Sequence, residues 1–153
     1  MESVAATDEA TWEQRLPPGI IGGDQRSAAV ATLLDGVPTP AGFAMPAGSD
    51  TATTDHDQLV VDVGLAVTCA WLDEWFTATD SGNAAEADQA ATTLAGYRAW
   101  PLWQQAPSRG DLVDHLQEYA DAISTGSGIL TGGGPVPISR DLVASGLGCR
   151  FAP

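Results

Sequence analysis

Residues 59–76 form the stretch that most restricts the fold. They read Leu-Val-Val-Asp-Val-Gly-Leu-Ala-Val-Thr-Cys-Ala-Trp-Leu-Asp-Glu-Trp-Phe. Asp55 to Asp57 can start a helix just before them, and Asp80-Ser81-Gly82 breaks it after about Thr79. The spacing predicts one long helix that is apolar on nearly every side. Leu59, Val60, Val63, Val67, Ala70 and Trp71 fall on one side; Val61, Leu65, Leu72, Trp75 and Phe76 fall on the other. A helix of that kind is normally buried at the centre of a domain. Its longest apolar run is shorter than the ~20 residues that span a bilayer, and Asp62, Asp73 and Glu74 interrupt or border it.

The rest of the chain supplies helices to pack around it. Asp24 can cap a short helix over residues 25–35, closed by Gly36. Asn83 and Glu86 look like the cap of a helix through residues 84–99, ended by Pro101. Ser108 and Asp111 suggest another cap, followed by Leu112, Leu116, Tyr119 and Ile123 at i, i+4, i+7 and i+11. Gly126 ends that helix, and Ser139 can cap a last short turn over residues 140–144. Residues 41–54 and 126–137 are rich in Gly, Pro, Ser or Thr and read as loop and tail. Thr11 to Gln14 is a weak capping box, stopped by Pro17-Pro18-Gly19. The expected architecture is all-α. It is a compact bundle of about three main helices with irregular N- and C-terminal segments, residues 11–153 forming one domain behind a flexible segment 1–10.

Charge narrows the function. The 153 residues carry six Arg, no Lys and 20 acids, a net charge of −14. Such a surface disfavours nucleic acid and anionic membranes as partners. The 44% hydrophobic content is that of a globular chain rather than a disordered one. Replacement of Lys by Arg throughout fits high-GC coding.

Cys69 and Cys149 have two readings. They are a disulfide that pins the Gly-rich tail to the central helix of an exported protein, or unrelated thiols, with Cys69 a small buried hydrophobe. The tail has few other means of attachment, which favours the disulfide. Closing a loop of about 80 residues would stabilise by roughly 4–5 kcal/mol on chain-entropy grounds. The N-terminus shows neither a basic nor an apolar signal region, so export would require a signal or anchor outside this sequence. A cytoplasmic location is the alternative.

No catalytic signature stands out. Ser124, Ser127 and Ser145 lie near glycines without a nucleophile elbow. The glycines at 126–128 and 132–134 lack the Lys and helix start of a phosphate loop. Two histidines define the metal alternative. Asp55-His56-Asp57 lies near Asp50, and His115 shares a helix face with Asp111 and Glu118, beside Asp114. If the two met, His56, Asp111, His115 and Glu118 would hold a divalent ion; apart, both clusters are ordinary helix-start and solvated-face acids. Five tryptophans are many for this length. Trp71 and Trp75 suit the core. Trp100-Pro101-Leu102-Trp103, with Tyr97, sits at a helix-to-turn junction where aromatics could line a groove for a ligand or partner.

The leading expectation is a non-catalytic, exported helical module that binds a protein or a small ligand through Trp100, Trp103 and Tyr97, with no cofactor. The alternative is a small metal-dependent enzyme or metal-binding protein. A third option is an acidic inhibitor of a basic partner, acting by charge complementarity.

Overall fold

The computed structural model describes residues 16–46, 53–105 and 110–151. They are mostly helical. Five α-helices occur: α1 (Arg26–Leu34), α2 (His56–Ser81), α3 (Ala84–Ala95), α4 (Gly110–Thr125) and α5 (Arg140–Leu147). Two small antiparallel ladders join them: β1 (Ile20–Ile21) with β2 (Thr54–Asp55), and β3 (Ile129–Thr131) with β4 (Gly134–Val136).

Helix α2 is the hub, and its boundaries follow from its caps. Asp55 accepts from the Gln58 backbone N–H at 3.2 Å, satisfying one of the orphan donors of the first turn. At the far end the helix runs to Ser81 and stops at Gly82. Asn83 then accepts from the Glu86 N–H and opens α3, which lies back along α2. Helix α4 packs on α3, and α1 and α5 pack on α2.

The core runs through all of these elements. Leu59, Val60, Val63, Val67 and Leu72 of α2 meet Leu33, Ala90, Leu94, Leu102, Leu116 and Val143, each at most 2% exposed. Gly64 serves a close approach: a Cβ there would collide with the six-membered ring of Trp103. The small residue therefore lets the indole seat directly against the helix backbone.

Several boundaries differ from expectation. Among the described residues five α-helices stand, where about three main ones with short flanking helices were expected. Asp24 lies within a 3-10 turn, Gly23–Gln25, and makes no cap; α1 starts from Gln25 without a side-chain bond. Helix α3 ends at Ala95 rather than reaching Pro101, because Gly96 turns the chain into two 3-10 segments, Tyr97–Ala99 and Pro101–Gln105. Residues 126–137 are not plain tail: Gly132-Gly133 turns a hairpin whose strands pair Ile129 with Val136 and Thr131 with Gly134. Helix α5 extends to Leu147, beyond the expected single turn, and Ser139 caps it as expected. The capping box at Thr11–Gln14, the flexible segment 1–10, Asp50 and Ser108 lie outside the described residues.

Cys69 and Cys149 form a disulfide, with their Cα atoms 5.5 Å apart. It ties the tail to the middle of α2. Gly148, in the left-handed conformation at φ 73°, caps α5 and turns the chain towards that bond. Phe151 then packs edge-on against Phe76. Arg140, at the start of α5, lies over the Phe76 ring and pairs with Asp80 at 2.5 Å. The disulfide, the ring contact and the ion pair together hold the C-terminal segment to one helix.

Candidate functional site: a cleft beside the disulfide

Helix α2 is not buried on every side. Asp62, Leu65, Ala66, Cys69, Ala70 and Asp73 fall at i, i+3, i+4, i+7, i+8 and i+11, a single helical stripe. All six line an open cleft of about 590 Å³. One wall is the extended segment Phe43–Pro46; the other is Gly148, Cys149 and Arg150, with Arg26 from the start of α1 completing the rim. The floor is apolar, Leu65 with the smaller Ala66, Cys69 and Ala70, with an acid at each end.

Local chemistry explains why the cleft stays open. The segment after α1 is anchored where the Trp71 indole N–H donates to the Pro38 carbonyl at 2.9 Å. Pro38 and Pro40 hold it extended, and a turn at Pro40–Phe43 aims Phe43 and Met45 across the helix face. On the other side the disulfide fixes Cys149 at the rim. The described residues thus bracket the stripe without covering it.

The polar groups of the cleft divide into two kinds. Asp62 accepts from the Gln58 side-chain amide at 2.9 Å, and Asp73 lies 3.9 Å from the Arg140 guanidinium. Arg26 and Arg150 make no side-chain hydrogen bond or ion pair among the described residues. Their counterparts elsewhere do: Arg98 pairs with Asp114 at 2.6 Å, and Arg140 with Asp80.

The residues picked out by sequence lie elsewhere. Tyr97, Trp100 and Trp103 are 1%, 4% and 6% exposed. Their rings meet edge to face, Tyr97 with both tryptophans, inside the core. They do not line a surface groove, because the 3-10 turns roll them inward between α2 and α3. The Tyr97 hydroxyl and the Trp103 indole N–H are buried with no hydrogen-bond partner among the described residues. Burial pushes the Tyr97 phenol far above its usual range, and the Tyr119 phenol is raised for the same reason.

The metal candidates remain separate pairs. His56 Nδ1 lies 3.7 Å from Asp57, and His115 Nδ1 lies 3.6 Å from Glu118. Asp114 is taken by Arg98, and Asp111 is exposed. Among the described residues no three His, Cys, Asp or Glu side chains gather as a metal site. The His115 ring instead packs edge-on against Tyr119.

The sequence did hold a signal for the cleft. The 62–65–66–69–70–73 stripe has its own helical period, with acids at its ends, distinct from the Val60–Val63–Val67–Trp71 stripe. What it lacked was the placement of Phe43, Met45, Arg26 and Arg150, all distant in the chain. None of the described helices is long and apolar enough to cross a membrane. In comparisons with known proteins, no family model, no curated protein and no solved structure matches this chain.

Proposed function

We propose that this chain is a non-catalytic, exported binding module, and that its ligand is a small molecule seated in the cleft beside Cys69–Cys149. One observation carries the reading: the described residues leave an apolar stripe of the central helix only half-buried between two walls. Burying apolar surface is the main driving force of both folding and binding, so a bracketed apolar floor is where an added molecule gains most. The volume lies within the range of small-molecule sites. The disulfide supports export, since such bonds persist in oxidising compartments. The binding role expected of Tyr97, Trp100 and Trp103 passes to this cleft, where side chains meet solvent.

A fragment screen read by amide chemical shifts tests this. Perturbations that cluster on Leu65, Ala66, Ala70, Gly148 and Arg150 support the cleft. Hits confined to other surfaces, or no hits from a broad library, overturn it.

A further inference from the structure

We infer that the cleft takes an anionic amphiphile, a small molecule with one acidic head and an apolar chain. This rests on the reading of the cleft as a binding site and names its ligand class. The argument starts from charge. With 20 acids to six Arg, carboxylates far outnumber guanidinium groups in this protein. Arg98 holds one, and Arg140 lies against two, Asp73 and Asp80. Arg26 and Arg150 hold none among the described residues, and both line the same cleft. They come from opposite ends of the described chain, one at the start of α1 and one beside the disulfide.

Neither acid of the cleft pairs with them: Asp62 accepts from the neutral Gln58 amide, which leaves its charge in place, and Asp73 faces Arg140. Among the described residues the two guanidinium groups are the cleft's unpaired cations. A guanidinium presents a fixed fork of donors that matches a carboxylate or phosphate, and such charge-assisted bonds are stronger than neutral ones. The same cleft is lined by the apolar Leu65, Ala66 and Ala70 of α2 and by Phe43 and Met45. Met45 adds a flexible, polarizable wall that adapts to a chain. An acidic head on the arginines with an apolar chain along the floor satisfies both parts at once. A neutral apolar ligand leaves the arginines unused, and a cationic one meets them with repulsion.

Calorimetric titration with decanoate, decanol and decyltrimethylammonium, each below its micelle concentration, tests the inference. Decanoate is expected to bind tighter than decanol by about tenfold or more, the scale of one charge-assisted hydrogen bond. The cationic probe is expected to bind weakest. The double variant Arg26→Gln/Arg150→Gln should lose the preference, binding decanoate no tighter than decanol. Arg150 is exposed and Arg26 half-buried, and neither makes a side-chain bond among the described residues, so circular dichroism should show the fold intact. Equal binding of decanoate and decanol, retention of the preference in the double variant, or no binding of decanoate overturns the inference. Ala66→Asp separates the two failures. If the probes bind equally and Ala66→Asp abolishes binding, the cleft reading survives and the anionic head does not. If binding is indifferent to Ala66→Asp, both fall.

Discussion

Val60, Val63, Gly64, Val67 and Trp71 form one stripe of α2, and Leu65, Ala66, Cys69 and Ala70 form another. The two are alike in composition. The first is buried against the rest of the core, with the Trp103 ring pressed onto Gly64. The second is half-buried and floors a cleft. Hydropathy alone does not distinguish them; what differs is the neighbours each receives. The closed stripe meets other helices and ring systems shaped to it. Among the described residues, the open stripe meets the strap at 43–46 and a cross-linked tail, which line its margins. Apolar residues on a helix thus mark what can be buried, and the remainder of the fold decides whether the chain itself or another molecule buries them.

The largest effect should come from the cross-link that bounds the open side. Cys69→Ala/Cys149→Ala is expected to lower stability by about 4–5 kcal/mol on chain-entropy grounds, read by urea unfolding. Amide exchange should also rise more at Gly148–Arg150 and around Cys69 than at Val60–Val67. Uniform exchange across both stripes would break the comparison.

A matched pair of truncations comes next. Leu59 is fully buried and Leu65 is not. Leu59→Ala should cost about 2–5 kcal/mol, through lost burial and a cavity. Leu65→Ala should cost less than about 1 kcal/mol, as at half-exposed sites. Similar losses would mean that the cleft floor is core after all.

Gly64→Ala then tests the fit of the closed stripe. Alanine is favoured over glycine in a helix by about 1 kcal/mol. The collision with Trp103 opposes this, and overpacking of a close-packed site costs about 1–3 kcal/mol. A net loss in melting temperature is expected; a gain would show that the indole yields.

The smallest effect concerns Tyr97. Its hydroxyl is buried without a partner among the described residues, so Tyr97→Phe should be neutral or stabilising by under about 1 kcal/mol. The sign of the pH dependence follows from burial. The phenol ionises in the unfolded chain near pH ~10 but only at higher pH when folded. The folded state then binds the proton more tightly, and stability falls as pH rises above ~10. Tyr97→Phe should flatten that decline in alkaline unfolding curves; an unchanged slope would place the cause elsewhere.

Much of the fold was legible because its signals are local. Asp55, Asn83 and Ser139 cap helices as their positions imply, and the period of α4 is carried by neighbours along the chain. The disulfide was legible because a glycine-rich tail needs an attachment. What escaped was set at a distance. The pairing of Ile20–Ile21 with Thr54–Asp55 joins two-residue strands whose register depends on α1 and α2 being in place. The inward turn of Tyr97, Trp100 and Trp103 depends on two 3-10 segments after Gly96, which a helix extended to Pro101 would not create. The hairpin at 129–136 is spelled largely in glycine and proline, residues that suit a turn and a disordered tail equally. The cleft combines four segments, Arg26, residues 43–46, the α2 stripe and residues 148–150, so no single stretch could announce it.

The Cys69–Cys149 bond also decides how this protein would respond to mechanical tension. A pull applied at the two termini passes along the backbone to Cys69 and crosses the covalent bond to Cys149. The 80-residue span between them, with α3, α4, the hairpin and α5, lies outside the load path. At most about 3.3–3.6 Å of extension per residue would then come from the chain outside that span alone. Tension would strip α1, β1, β2 and the first half of α2 while the remaining helices stayed slack until the bond was reduced.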